Sequence, residues 1–143
     1  MDTNHCNLFL NRCNQRALPI FTQSSQEAPV RLINQTKNTI LAQDVFIANT
    51  PFKRIKGLLG RKVFLSGQAI ILEPCNSVHT FFMRFPIDIL FVDKNYKVIQ
   101  AIPKFNPNRI SRIYWHSSKV IELPAGRLVL TNTQVKDQLQ LLD

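Results

Sequence analysis

A chain of 143 residues with 45% apolar content is the usual size of one domain and can build its own core. That excludes a disordered protein and removes any need for a disulfide or metal staple. Eighteen Lys and Arg against nine Asp and Glu give a net charge of +9, either a solubility device or an attraction to nucleic acid, an anionic membrane surface or an acidic protein.

In chain order, residues 1–28 are rich in Asn, Gln, Ser and Thr with no sustained period, which predicts a flexible or loosely docked arm. They show no signal-peptide pattern, and no stretch of the chain approaches the length of a transmembrane segment, so the expected location is the cytoplasm. The cysteines, Cys6, Cys13 and Cys75, are odd in number and sparse, which fits reduced thiols rather than a disulfide framework.

From residue 29 a single β-rich domain is expected. Val30 to Ile33 reads as a short strand and Thr39 to Ala48 as a longer one. Thr50-Pro51 is a helix start, an N-cap hydroxyl followed by proline at the first helical position. Phe52, Ile55, Leu58 and Leu59 recur at helical spacing; Gly57 weakens that helix and Gly60 is its expected end. Ala69 to Leu72, Val78 to Met83 and Ile87 to Val92 read as strands. Asp93-Lys94-Asn95 is a turn, and Tyr96 to Ile102 is the returning strand of a hairpin. Pro103 to Ser111 is a loop, Lys119 to Leu123 a strand, Pro124-Ala125-Gly126 a turn, and Gln138 to Leu142 a last short strand. Many short strands with one or two small helices predict a mainly β fold, a compact β-sandwich or barrel-like domain.

The segment from Cys75 to Asp88 is the densest in reactive residue types. Were residues 75–83 extended, Cys75, Ser77, His79, Phe81 and Met83 would share one face, a set with soft-metal character. Residues 75 and 83 would then lie roughly 26 Å apart, and Cys75 and His79 roughly 13 Å apart. Those separations favour neither a shared metal ion nor a Cys–His nucleophile pair, so no metal and no cofactor is expected.

Asp88, within Ile87-Asp88-Ile89-Leu90, and Glu122, within Val120-Ile121-Glu122-Leu123, are carboxylates set in apolar strands. Burial would require a partner, for Asp88 either Arg84 or a backbone amide; the two together could also form an acid/base pair. The cations cluster. Lys53, Arg54, Lys56, Arg61 and Lys62 lie between Asp44 and Glu73 with no acid among them. Lys94 to Lys119 is equally acid-free and interleaves Lys104, Arg109 and Arg112 with Phe105, Tyr114 and Trp115. Cations beside aromatics are the pattern of single-strand nucleic-acid binders, and also of a solvated face over core aromatics. A phosphate-cradling glycine loop, Gly-x-Ser-x-Gly, Cys-x-x-Cys and His-Glu-x-x-His are all absent.

Four motifs in order carry a resemblance. They are Thr50 with Arg54 and Gly57-Leu58-Leu59-Gly60-Arg61, then Ala69-Ile70-Ile71-Leu72, then Val78 through Asp93, and finally Val120-Ile121-Glu122-Leu123-Pro124-Ala125-Gly126. Over about residues 30–142 the chain resembles domain-of-unknown-function family 192, an uncharacterised conserved family. Many members carry Met at Leu59, Trp at Phe82 and Gly-Asp at Lys136-Asp137; none of these departures removes a polar group that chemistry would need. The resemblance implies a compact β-sandwich or barrel-like fold and marks Arg54, Arg61, His79, Asp88 and Glu122 as recurring polar residues. It implies no activity, cofactor or substrate.

The expected function is a small non-enzymatic binding or accessory module. It would use a cleft around His79 and Asp88, or a basic surface at Lys104, Arg109, Arg112 and Trp115 that binds nucleic acid or another polyanion weakly and without sequence preference. The alternative is a small hydrolase- or metal-type enzyme using His79 with Asp88 or Glu122.

Overall fold

The structure is a computed structural model that describes residues 29–143. The arm expected at 1–28 lies outside the described residues. In chain order the elements are β1 (Arg31–Asn34), β2 (Thr39–Ala42), β3 (Asp44–Ala48), α1 (Pro51–Lys56), β4 (Gln68–Leu72), β5 (Ile87–Val92), β6 (Val98–Phe105), β7 (Lys119–Pro124), α2 (Arg127–Leu130) and β8 (Leu139–Leu142). They form a three-stranded sheet, β2-β1-β8, and a five-stranded sheet, β3-β4-β7-β5-β6. Neither closes into a barrel; the fold is sandwich-like and mainly β.

Most predicted strands are present within a residue or two, and four differences matter, the last of them the segment Val78 to Met83 described below. The stretch read as one strand over Thr39 to Ala48 is two. The amides of Gln43 and Asp44 both donate to the Gly67 carbonyl, at 2.7 and 3.0 Å, which draws the chain off the small sheet and onto β4 of the large one. β3 and β4 run parallel. A parallel pair needs a crossover, and α1 with its following turn supplies it. Thr50 caps α1 as expected, its hydroxyl accepting from the Lys53 amide at 3.3 Å. The helix then stops at Lys56, because Gly57 adopts φ 27° and a Cβ there would meet the Arg54 carbonyl at 3.2 Å. Third, β6 runs on to Phe105, through the start of the expected loop.

The hairpin of β5 and β6 is present. The Asp93 carboxylate accepts from the amides of Asn95 (2.8 Å) and Lys97 (3.0 Å), the local bonding that suits Asp to tight turns.

β4, β5 and β7 are buried along almost their whole length, so the large sheet is covered on both faces. One face carries Val45, Ala69, Ile71, Leu90, Val92, Ile121 and Leu123 and packs against Leu32, Leu41 and Leu139 of the small sheet and Leu128 of α2. The other carries Ala48, Ile70, Leu72, Ile87, Ile89, Phe91 and Val120. Among the described residues no second sheet covers it; Leu58, Val78 and Met83 do, with Cys75, Phe85 and Tyr114 at the margin.

That cover includes Val78 to Met83, which is not the predicted strand. His79 makes a lone bridge to Ile110, the Met83 amide turns back onto the Thr80 carbonyl at 3.2 Å, and Phe82 sits at φ 63°. A neighbouring loop holds the segment: the amides of Asn108 and Ser111 donate to the carbonyls of Thr80 and Val78, both at 2.8 Å, and the Thr80 hydroxyl donates to the Asn106 carbonyl at 2.7 Å. The segment's hydrogen bonds are thus made with a loop instead of a strand. Among the described residues no helix is long and apolar enough to cross a membrane.

Candidate binding cleft

The loop cover leaves an opening. A cleft of about 260 Å³ lies between α1 and its turn (Pro51, Arg54, Ile55, Leu58), the segment Cys75–Met83, and the large sheet, from which Leu72 and Glu122 reach in. The walls are largely apolar; the polar groups are the Arg54 guanidinium, the Cys75 thiol, the Ser77 hydroxyl, the His79 ring and the Glu122 carboxyl.

Glu122 is the unusual member. It stands on β7 between Ile70 of β4 and Ile89 of β5, its partners in register on either side. Directly paired residues share a face, so two isoleucines flank the carboxyl. Its residue exposure is 5%, and it has neither a hydrogen bond nor an ion pair with any described residue. Burial alone pushes its pKa up to about 7, because the charged form has lost its water and gained no partner. Near neutrality it can therefore offer either a proton or a lone pair to whatever enters the cleft.

Asp88 does not share this site. β5 and β7 are antiparallel with Asp88 opposite Leu123 and Ile89 opposite Glu122. That one-residue offset puts the two carboxylates on opposite faces of the sheet. Asp88 lies on the side of the small sheet, fully buried, and both of its oxygens are used. Oδ1 accepts from the Lys104 amide at 2.8 Å and Oδ2 from the Leu128 amide at 2.7 Å. Of the two partners the sequence allowed, the backbone amides hold it and Arg84 does not. It ties β6 and the first turn of α2 to β5. The acid/base pair of Asp88 with Glu122, and any pairing of His79 with Asp88, have no geometric basis in this arrangement.

The remaining expected residues divide. Arg54 lines the cleft, half-buried, and its Nη1 donates to the Glu73 carbonyl at 3.1 Å. His79 is exposed at the rim, its ring stacked on Phe81 with centroids 5.2 Å apart. Arg61 is outside the cleft lining; its Nε donates to the Gly57 carbonyl at 3.4 Å, and partial burial lowers its pKa. Lys104, Arg109, Arg112 and Trp115 are exposed along β6 and the loop that follows it, away from Glu122.

Cys75, Ser77, Phe81 and Met83 line the cleft although the segment is a folded loop. Burial is the largest influence and raises the Cys75 pKa; a backbone hydrogen bond from Ser77 lowers it, the Glu122 charge raises it and the Arg54 charge lowers it, while the thiol itself donates to the Ser77 carbonyl at 3.1 Å. The net direction is upward, so the sulfur is held as a thiol and is not an activated nucleophile. His79 makes no hydrogen bond to it. No group of three or more His, Cys, Asp or Glu among the described residues is placed to hold a metal ion.

Two open sheets, one of them with a loop-covered face, define a sandwich-like, mainly β domain. The sequence profile of domain-of-unknown-function family 192, Uncharacterized ACR, matches residues 32–141, and the chain belongs to that family. It is 31% identical over 114 residues to a UPF0127 protein of Thermococcus sibiricus, covering 76% of this chain and 72% of the relative. A UPF0127 protein of Pyrococcus horikoshii is also 31% identical, over 100 residues, 66% of this chain and 84% of the relative. Among solved structures, the chain is similar in fold to a protein of unknown function from Novosphingobium aromaticivorans (TM-score 0.68, 18% identity, 78% of this chain and 83% of that one). It is similar also to a candidate transcription regulator from Sinorhizobium meliloti (TM-score 0.65, 21% identity, 78% of this chain and 91% of that one).

Proposed function

We propose that this chain is a non-enzymatic binding module whose site is the cleft over Glu122. The ligand is a small molecule with a largely apolar body and one polar head that hydrogen-bonds to the Glu122 carboxyl. The observation that carries this reading is a carboxyl only 5% exposed that faces an open cleft and has no hydrogen bond to any described residue. A polar group buried without a partner costs about 1–3 kcal/mol, more when charged, and a ligand head that meets it removes that cost. Apolar walls with few convergent polar groups are the usual composition of small-molecule sites. Arg54 and His79 would bound the head and the mouth. An enzymatic reading is weaker, because the Cys75 thiol is held protonated and His79 makes no bond to it.

The test is a two-dimensional amide NMR titration of the full chain with a library of small fragments. Expected are ligands with Kd on the order of 1 mM or tighter that shift the amides of residues 57–59, 75–79 and 121–123 together. Fragment binding weakened in Glu122→Ala would place the head on the carboxyl. No hits, or hits confined to other surfaces, would end this reading.

A second reading concerns the acid-free stretch after β6. What favours it is Trp115, 79% exposed and so not a core residue, with Arg109 and Arg112 exposed beside it. Cations and an exposed indole can bind single-stranded nucleic acid weakly, with an affinity that falls steeply as salt rises. A labelled oligonucleotide titrated at low salt against wild type and Arg109→Ala/Arg112→Ala decides it. Equal binding by both proteins, or none by wild type, removes the loop as such a surface.

A further inference from the structure

From the rim of the cleft we infer a docking surface for an anionic lipid bilayer, separate from whatever the cleft itself holds. Large apolar side chains are unusually exposed there. Phe52 and Ile55, one turn apart on the same side of α1, are 76% and 68% exposed, and Phe82 is 79% exposed. Ile55 and Phe81 both line the cleft, so the helix and the Phe81-Phe82 turn rim a single opening. The turn is built to keep Phe82 outward. Its backbone is at φ 63°, a conformation unfavourable for a bulky residue, and its amide is pinned by the Asn108 side chain at 3.0 Å. A position of that kind persists only where its surroundings hold it, and it marks a place to look for function.

The stretch of chain that supplies α1 and the Phe81-Phe82 turn is strongly cationic. Between residues 45 and 87 the cations are Lys53, Arg54, Lys56, Arg61, Lys62 and Arg84, and the only acid is Glu73. Glu73 is already neutralised by Lys119, with Nζ and Oε1 3.1 Å apart. Exposed Phe and Ile within a field of Lys and Arg is the composition of segments that lie in the headgroup region of a bilayer, apolar groups in the acyl boundary and cations on anionic headgroups. The alternatives fit less well. A second copy docking through the same patch would set these cations against themselves across the two-fold axis. A nucleic-acid backbone would meet the cations but leave Ile55 and the phenylalanines against phosphate and sugar.

Co-sedimentation of the full chain with vesicles tests this. One set is phosphatidylcholine alone and the other phosphatidylcholine mixed with phosphatidylglycerol. Three variants change only exposed side chains: Phe52→Ser/Phe82→Ser, Lys53→Glu/Lys56→Glu, and Lys94→Glu/Lys97→Glu as a charge-matched control on the β5–β6 turn. Wild type should bind the anionic vesicles and not the neutral ones. The first two variants should each lose about tenfold or more in binding with thermal midpoints unchanged, and the control should keep most of it. No wild-type binding at low salt would overturn the proposal and leave an acidic protein surface as the partner for this patch. Binding indifferent to the two phenylalanines, or lost equally in the control, would also overturn it, since net charge alone would then explain the attraction. A chain that fails here and still binds fragments at Glu122 retains the cleft reading.

Discussion

Asp88 and Glu122 lie on adjacent strands, one register step apart, each inside a run of branched apolar residues. On the face toward the small sheet, Asp88 receives two backbone amides and its charge is fully used. On the face covered by loops, Glu122 receives none from any described residue. The first carboxylate is bonded into the fold as a structural crosslink. The second has no bond from any described residue, and its ionisation raises the free energy of the folded state relative to the unfolded one as pH climbs from 4.5 to about 7. Similar sequence settings thus give opposite roles, and the covering layer makes the difference: α2 and the end of β6 turn amides toward Asp88, whereas α1 and the 75–83 segment present side chains and an opening.

The largest effect should come from breaking the closed face. Asp88→Ala removes the acceptor of two amides, that of Leu128 in the interior and that of Lys104 in a part-buried position. At about 1–3 kcal/mol for each unsatisfied buried group, the loss should total about 4 kcal/mol by urea denaturation. Asp88→Asn keeps one acceptor oxygen and should lose roughly half as much. A loss under about 1 kcal/mol for Asp88→Ala would mean that the two bonds contribute little net stability and that the contrast between the faces is one of geometry only.

The closed face and the open one were unequally legible in the sequence. Both strands, the Asp93 turn and the α1 cap follow from local chemistry, because short runs of β-forming apolar residues, an Asx turn and a Thr-Pro start each act within a few residues. Which side each carboxylate faces does not follow, since the strands are apolar on both faces and only the pairing register separates them. Val78 to Met83 reads as a strand, and is not one, for a related reason. Val78, Phe81, Phe82 and Met83 have strand propensity, but the turn at Thr80 to Met83 and the lacing to residues 106–114 depend on a distant loop. Ser77 and Thr80, hydroxyls that bond readily to nearby backbone, were the available hint. The cleft came with that fold, so its lining was visible as residue types and not as a site.

The second prediction concerns pH and the open face. Glu122 is pushed up to about 7 in the folded chain, against an ordinary 4.5 when unfolded. Below 4.5 both states hold the proton and nothing is lost. As pH rises from 4.5 to 7 the unfolded chain releases the proton first, so stability falls, and above 7 the loss levels off at about 3 kcal/mol. Glu122→Gln should abolish this slope, leaving the variant more stable than wild type at pH 8 and nearly equal to it at pH 4. Denaturation midpoints across that range read it directly. A wild-type profile parallel to that of Glu122→Gln would show that the carboxyl already has a partner, in which case the two faces are not different in kind.

The smallest effect tests whether the charge on the open face is felt where the geometry says it is. Cys75 shares the cleft with Glu122, and the carboxylate is one of the influences raising its pKa, after burial. Only the thiolate alkylates at an appreciable rate. Replacing Glu122 by Gln removes a negative charge and should lower the thiol pKa, so iodoacetamide should modify Cys75 a few-fold faster at pH 8. Peptide mass mapping separates Cys75 from Cys6 and Cys13 within the same sample. Asp88→Asn is the comparison that gives the result its meaning: it removes a charge from the other face of the same sheet and should leave the Cys75 rate where it was, provided that the variant remains folded. Faster alkylation in both variants would point to loosening of the whole sheet, and an unchanged rate in Glu122→Gln would mean that the carboxyl and the thiol are not electrostatically coupled across the cleft.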